Sequence, residues 1–414
     1  MCNFKTFFGE DGLTPDWNFI LSIPQFHAMH GSDHSMEFHK EGDVLQHTKL
    51  VVNNAIDLVK TADTENDLYG ISIISEWRRQ ALLMAALFHD VAKPVVTHFD
   101  TDKNDFTSPN HGEEGAKITR MILLEHEYED AEQRELIVSM VRTHMMFFHI
   151  FDKDTENMKR KLFKFATQDY TDCHCNFMDA YFLHICDCLG SFSTVETGVE
   201  RNLHIAKVHN LGNKKFNDWF TLESQMDRLY RLPKMIAQRT IYGRAWECGL
   251  TDMGDEYKSF DVYVLIGAPG VGKTTYYNSN LSYLPIISRD IARIELGYCS
   301  EGEKYLGSKE EEDKVTCYVN KKMVEYAKQC QSFVVDNTHM RQKYRDEIHK
   351  QLKDYNARYV YIYIESPNIS ETIRRRVDDF GDKATAIITR MYQNFEFPWP
   401  YEYDELKFVK QQIS

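Results

Sequence analysis

The sequence has no apolar run near the ~18 residues a transmembrane helix needs, so no membrane-spanning helix is expected. Its opening stretch, MCNFKTFFGEDG, has neither the basic start nor the apolar core of a secretion signal, so a cytoplasmic, reducing setting is expected. It also lacks low-complexity tracts and repeats at solenoid periods. Nine cysteines are present but scattered, and the C-x-C pairs Cys173/Cys175 and Cys186/Cys188 match neither C-x2-C zinc spacing nor a disulfide framework. Free thiols are the expectation. A basic surplus is missing too: the formal net charge is −14, with 26 Lys+Arg against 39 Asp+Glu in the first 255 residues and 23 against 24 thereafter. No long basic face can grip a duplex, so any nucleic acid would be recognised at an end or over a few nucleotides.

What is present suits two or three domains within 414 residues. Residues 1–195 read as helical, because GDVLQHTKLVVNNAIDLVK, SEWRRQALLMAALFHDVAK, GEEGAKITRMILLEH, DAEQRELIVSMVRTHMMFFH and NFMDAYFLHICDCLGSF repeat apolar residues every three or four positions. Ser75 and Asn110 are placed to cap two of these helices. Residues 196–257 are more polar and read as a helical connecting module ending in a linker. From residue 258 the pattern changes to short β-branched and aromatic runs, DVYVLIG, YLPIIS, SFVVD and ARYVYIYIE, separated by helical stretches. The expected architecture is a multidomain chain: an all-α domain followed by an α/β domain with a parallel sheet over 258–414.

Within the second domain, GAPGVGKT satisfies G-x4-G-K-[ST] at every fixed position, between a strand and a helix-compatible stretch. Gly267, Gly270 and Gly272 let backbone amides turn inward around a phosphate at the positive end of the following helix. Lys273 would neutralise β/γ-phosphate charge, Thr274, followed by Thr275, would hold Mg²⁺, and ATP or GTP is the expected ligand. Asp336, at the end of SFVVD, is placed for Mg²⁺ or its waters. Asp290, beyond the second strand, lies on the rim where α/β proteins bind ligands and could take a proton from an attacking hydroxyl. Arg293, three residues on, could bind an acceptor phosphate; a capping aspartate bridged to an arginine is the plain alternative. Arg374, Arg375 and Arg376 in ETIRRRVDDFGDKA could form a lid or a solvated helix face.

The first domain carries His47, His89, Asp90, His111, His144 and Asp187 in separate helical segments. Imidazoles and carboxylates converging from several helices are how a bundle builds a metal site, and a carboxylate at Asp90 could bridge two ions. Asp179, eight residues before Asp187, competes with it. His27, His30, His34, His39, His98 and His149 are expected to be incidental in a chain with seventeen histidines.

The P-loop, Asp290, Arg293 and the closing ITRMYQNFEFP resemble the polynucleotide kinase branch of P-loop phosphotransferases, from Val262 to about Pro398. That resemblance implies ATP and Mg²⁺ as cofactors, Asp290 as general base for a 5′-hydroxyl and Arg293 on the phosphate next to the target nucleoside. The family lid has two arginines four residues apart. Here Arg376 is followed at that spacing by Phe380, leaving Arg374 or Arg375 as substitutes. The ordered set H…HD…H…H…D with HDxxK, opened by KEGDVLQHT, resembles HD-domain phosphohydrolases from about Gly42 to Ser191. It implies His47, His89, Asp90 and Asp187 around one metal, Asp90, His111 and His144 around a second, and Lys93 facing the scissile phosphate. Mn, Fe, Co, Ni or Zn suits such imidazole-rich ligands.

The order of the two domains resembles the HD-Pnk family of nucleic-acid end-healing enzymes. It implies a 5′-kinase and a 2′,3′-phosphatase acting on RNA or DNA ends, with a separate ligase downstream because no K-x-D-G motif is evident. A nucleotide-pool enzyme, pairing an HD nucleotidase with a small-molecule kinase, is the alternative.

Overall fold

The computed structural model describes residues 2–35, 37–149, 173–175, 177–191, 258–300, 305, 307–365, 368–399 and 402–410. The chain divides into two compact units, Met1–Leu229 and Tyr230–Ser414. The expected connecting module at 196–257 lies outside the described residues.

The first unit is helical. Its principal helices are α1 (Val44–Lys60), α2 (Glu76–Phe88), α3 (His111–Glu125), α4 (Ala131–Thr143) and α5 (Phe177–Gly190), with a small antiparallel hairpin of β1 (His98–Asp100) and β2 (Asp105–Thr107). Asp43 caps α1 by accepting from Gln46 N–H, and Ser75 caps α2 by accepting from Arg78 N–H. Asn110 caps nothing with its side chain. It takes a left-handed conformation (φ 56°) that swings the chain into α3, so its role is conformational. Val51, Val52, Leu82, Ala85, Ala86, Leu136, Met140, Phe182 and Leu183 are fully buried and interleave the faces of α1, α2, α4 and α5. The helical run expected through HDVAK breaks at Phe88, and a short helix restarts at Lys93 with Pro94 in its first turn. Proline fits there and cannot continue a helix from within. His89 and Asp90 therefore stand at a helix end, where they can point in different directions. Likewise α4 ends at Thr143 and gives way to a tighter 3-10 segment, His144–His149.

Buried ion pairs fix helix positions. Arg120 and Arg134 both reach Glu135, at 2.8 and 3.0 Å, locking α3 against α4. Arg78 of α2 pairs with Asp179 of α5. That pairing settles the competition between two aspartates: Asp179 is structural, and Asp187 is free to face the other way.

The second unit is an α/β domain with a five-stranded, fully parallel sheet of order β4-β5-β3-β6-β7. The strands are β3 (Phe260–Ile266), β4 (Ile286–Ser288), β5 (Phe333–Asp336), β6 (Ala357–Glu365) and β7 (Glu405–Lys410). The four expected strands are present. The fifth, ELKFVK at the sheet edge, is largely accessible and has no apolar run to announce it. Helices α6 (Lys273–Asn280), α7 (Arg289–Glu295), α8 (Lys309–Lys328), α9 (Gln342–Leu352) and α10 (Ile369–Arg374) accompany the sheet. Among the described residues, no helix is long and apolar enough to cross a membrane, and the cysteines are free.

Candidate functional sites in the helical and α/β units

In the helical unit, His47 comes from the first turns of α1, His89 and Asp90 from the end of α2, His111 from the first residue of α3, His144 from the end of α4 and Asp187 from the last turn of α5. All six are buried. Close helix approach makes the convergence possible: a Cβ at Gly112 would stand 3.1 Å from Arg142 O, and one at Gly115 would stand 3.2 Å from Val141 Cγ1.

The histidines are held by one nitrogen and converge with the other. Nδ1 of His89, His111 and His144 each sits on a backbone carbonyl, Ala86 O at 2.8 Å, Ser108 O at 2.7 Å and Val141 O at 2.7 Å. A carbonyl only accepts, so each Nδ1 carries a proton and each ring turns its Nε2 toward the centre. Those atoms meet at the centre, joined by His47: His47 Nε2 is 3.2 Å from His89 Nε2, and His111 Nε2 is 3.0 Å from His144 Nε2.

Two carboxylates complete the centre. Asp187 Oδ1 lies 3.1 Å from His47 Nε2 and 3.9 Å from His89 Nε2. Asp90 divides its oxygens: Oδ2 is 3.3 Å from His89 and 3.6 Å from His47, while Oδ1 is 3.5 Å from His111 and 3.9 Å from His144. Lys93 Nζ closes the rim at 2.6 Å from Asp90 Oδ2. The ligand atoms thus fall into two compact groups, His47–His89–Asp187 and Asp90–His111–His144, with Asp90 between them.

The electrostatics favour a cation. Burial opposes ionisation of Asp90, but Lys93 and the surrounding imidazoles hold its carboxyl well below the usual range. Burial likewise opposes ionisation of Asp187, and His47 and His89 reverse the balance. Burial and neighbouring His111 and His89 push His144 down to about 3, and burial lowers His111. His47 is the exception: burial disfavours its charge, yet Asp187 and Glu41 raise it to about 9. Imidazole nitrogens 3.0–3.2 Å apart need a shared proton or a metal ion between them. Two ionised carboxylates among imidazole nitrogens are the donor set of N/O-ligated divalent metals, so these residues fit such ions.

Sequence reasoning missed Glu41 and dismissed two histidines that the structure brings near. His34 and His39 were expected to be incidental, yet their rings stack at 4.1 Å and His39 lies 4.6 Å from the His47 ring. His27, His30 and His98 are exposed, as expected of incidental residues.

In the α/β unit, β3 delivers the phosphate loop. Gly267, Gly270 and Gly272 have φ of 156°, 86° and 99°. At Gly267 the need is also spatial, since a Cβ would stand 2.5 Å from Ile364 O. Lys273 begins α6, with Nζ donating to Gly267 O and Ala268 O at 3.0 Å, and Thr274 and Thr275 are exposed on the same turn. Burial pushes Lys273 down to about 8, partly offset by Asp336 and Asp290. Asp336, at the tip of β5, is raised by burial, and its Oδ1 is a buried acceptor with no hydrogen-bond partner. Such an acceptor suits a hydrated Mg²⁺ beside a nucleotide. The loop is braced from behind: Gly267 N–H donates to Thr338 O at 3.0 Å and His339 Nδ1 donates to Leu265 O at 2.8 Å.

Asp290 is exposed on the first turn of α7, and Arg293 Nη1 donates to its Oδ1 at 2.5 Å. Arg293 Nε also donates to Glu312 Oε1 of α8 at 2.8 Å, and its guanidinium lies over the Tyr305 ring at 4.9 Å. Glu312 and Tyr305 carried no signal in the sequence. Of the three candidate lid arginines, Arg374 and Arg375 both engage Glu371, and Arg375 also donates to Gly270 O at 3.2 Å. Arg376 packs over the phosphate loop, where a Cβ on Gly270 would stand 3.2 Å from its Cγ. Arg375 and Arg376, rather than Arg374, therefore lie on the loop.

With both sites in view, comparison with known proteins adds two matches. The HD domain family model matches residues 44–164, and the AAA domain family model matches residues 262–398. The chain joins an HD domain to a P-loop α/β domain. No curated protein matches it. A solved structure described as a candidate kinase from Chloroflexus aurantiacus is similar at 12% identity, covering 37% of this chain and 88% of its own, with a TM-score of 0.30. The HD match contains His47, His89, Asp90, His111 and His144, and Asp187 lies beyond its edge.

Proposed function

We propose that the chain heals nucleic-acid ends. The α/β domain would phosphorylate a 5′-hydroxyl with ATP, and the HD domain would remove a 3′-phosphate or 2′,3′-cyclic phosphate, in the manner of the HD-Pnk family. The observation that carries the hydrolytic half is Asp90, whose two oxygens divide between two histidine pairs. His47, His89, Asp90 and Asp187 would hold one divalent ion, and Asp90, His111 and His144 a second. Ions bound there supply acidified water at neutral pH and neutralise phosphate charge. Lys93, beside Asp90, would hold a phosphate oxygen and balance its charge.

In the kinase half, Asp290 takes the proton of the 5′-hydroxyl as its oxygen attacks the γ-phosphorus and ADP leaves. Lys273 and the loop amides bind the ATP phosphates, Thr274 and Asp336 hold Mg²⁺ and its waters, and Arg293 binds the acceptor phosphate. Arg375 and Arg376 cover the transferring group. The acidic balance of the chain supports an enzyme that handles ends rather than coating strands, with a separate ligase sealing the product.

The test uses a short RNA bearing a 5′-hydroxyl and a 2′,3′-cyclic phosphate, incubated with the full chain, ATP and a panel of divalent metals, with both ends read by mass spectrometry. Gain of a 5′-phosphate with loss of the terminal 3′-phosphate supports the proposal. Unchanged RNA with consumption of free nucleotides favours the nucleotide-pool alternative.

A further inference from the structure

We infer that Glu41 is the positioning residue of the HD centre, fixing the tautomer and tilt of His47; this rests on the reading of His47 as a metal ligand. His47 faces Asp187 and His89 through Nε2, while its Nδ1 lies 2.8 Å from Glu41 Oε1. His47 Nδ1 makes no hydrogen bond in this geometry, so the contact is an ion-pair approach, in which the glutamate charge favours a protonated nitrogen on its own side. An ionised carboxylate only accepts, so the proton belongs on Nδ1 and the lone pair on Nε2, toward the centre. His89, His111 and His144 obtain the same tautomer from backbone carbonyls. His47 obtains it from a side chain, which makes its orientation a property of one replaceable residue.

Local structure holds Glu41 to this task. Gly42, at φ 131°, turns the chain between Glu41 and the α1 cap Asp43, so that Glu41 folds back onto a histidine six residues later. The Glu41 side chain is 1% exposed. Its Oε1 also accepts from His39 Nδ1 at 2.8 Å, and the His39 ring is braced by the parallel ring of His34, whose Nε2 donates to Gly42 O at 2.7 Å.

A third ion held by His34, His39 and Glu41 is the competing account, since their ligand atoms lie within 4.8 Å of one another. Ring geometry opposes it. A ligating nitrogen aims its lone pair in the ring plane, and these planes are stacked at 4.1 Å with only 9° between them. Two such planes do not meet at one nearby ion, and His39 Nδ1 is engaged with the glutamate. The cluster is a brace behind His47.

The experiment titrates metal-stripped, full-length protein with Co²⁺, following ligand-field absorbance and, by elemental analysis, the number of ions retained. Glu41→Ala is expected to weaken Co²⁺ binding by ~10–100-fold, the scale for outer-shell partners of ligating histidines. It should also shift the absorbance while leaving the saturating stoichiometry unchanged, and Glu41→Asp should recover part of the affinity. Glu41→Gln, of nearly the same shape, replaces the alanine variant if that one fails to fold. Wild-type uptake with unchanged affinity in a folded variant overturns the role of Glu41 alone. Loss of one whole ion in His39→Ala overturns it in favour of a third metal site. Wild-type protein that takes up no Co²⁺ overturns the metal reading itself, and the role of Glu41 with it.

Discussion

Gly190 and Val51 touch almost backbone to backbone: a Cβ on Gly190 would stand 2.6 Å from Val51 Cγ2 and 3.1 Å from Val51 N. Val51 lies four residues after His47 on α1, and Gly190 three residues after Asp187 on α5, so each shares a helix face with a site residue. The contact of α1 with α5 therefore sets the 3.1 Å approach of His47 to Asp187. Gly190→Ala is expected to destabilise the helical domain by about 1–3 kcal/mol, the usual cost of overpacking. It should also lower metal retention, because relief comes by parting the two helices. Calorimetry and metal analysis of the same preparation check both.

Removing a shared ligand should cost more ions than removing an unshared one. Asp90→Asn is expected to empty both metal positions, whereas His144→Ala should leave the His47–His89–Asp187 group able to hold its ion. Elemental analysis of the two purified variants would read near zero and near one ion per chain. Equal losses would contradict a bridging carboxylate.

Phosphoryl transfer should depend on Lys273 without depending on Asp90. Lys273→Ala is expected to lower kinase turnover by at least ~100-fold, the scale of losing a group that acts on developing charge in the transition state. Asp90→Ala should leave it within about twofold. Single-substrate assays of each activity in both variants decide this, and simultaneous loss of both activities in one folded variant would refute independent sites.

The brace behind the phosphate loop predicts a pH effect on stability. Burial pushes His339 down to about 4 from the ordinary 6.5, because its imidazole is enclosed, and its hydrogen bond to Leu265 O offsets only part of that. Above pH 6.5 the ring is neutral whether folded or unfolded, and no differential exists. As pH falls from 6.5 toward 4, the unfolded chain takes up a proton that the folded state resists, so stability is lost with acidification. The loss approaches roughly 3 kcal/mol, at ~1.4 kcal/mol per pKa unit. His339→Asn keeps an amide donor, tolerates the φ of 45° at this position and does not titrate. Calorimetric scans between pH 7 and 4.5 should show a shallower decline for the variant, and parallel declines would refute the assignment.

Much of both sites was legible in the sequence because their chemistry interrupts regular patterns. His89 and Asp90 stand out after an apolar helix, and GAPGVGKT has few other uses between a strand and a helix. Four of the five strands, β3 to β6, were legible for the same reason, being apolar runs bounded by turns. What was hidden depends on where the chain bends. Glu41 reaches His47 only because Gly42 turns, and His34 stacks on His39 only through that same loop, so spacing marked both histidines as incidental. Glu312 lies nineteen residues from Arg293, within a helix whose many charges offer no reason to prefer it. Strand β7 alternates too weakly to be distinguished from a polar tail, and it becomes a strand by pairing with β6. Asn110 was chosen as a cap by residue type, whereas its backbone, not its side chain, shapes the start of α3.

The bracket around Arg293 bears on how the kinase would treat water. While the guanidinium is shared between Asp290 and Glu312, one Asp290 oxygen is engaged by Arg293. An acceptor phosphate drawing Arg293 toward itself would loosen that pairing and free the carboxylate beside the hydroxyl to be activated. Water brings no such phosphate. The same two side chains would then discriminate against idle turnover, and ATP would be spent mainly when a phosphorylated neighbour announces a strand end.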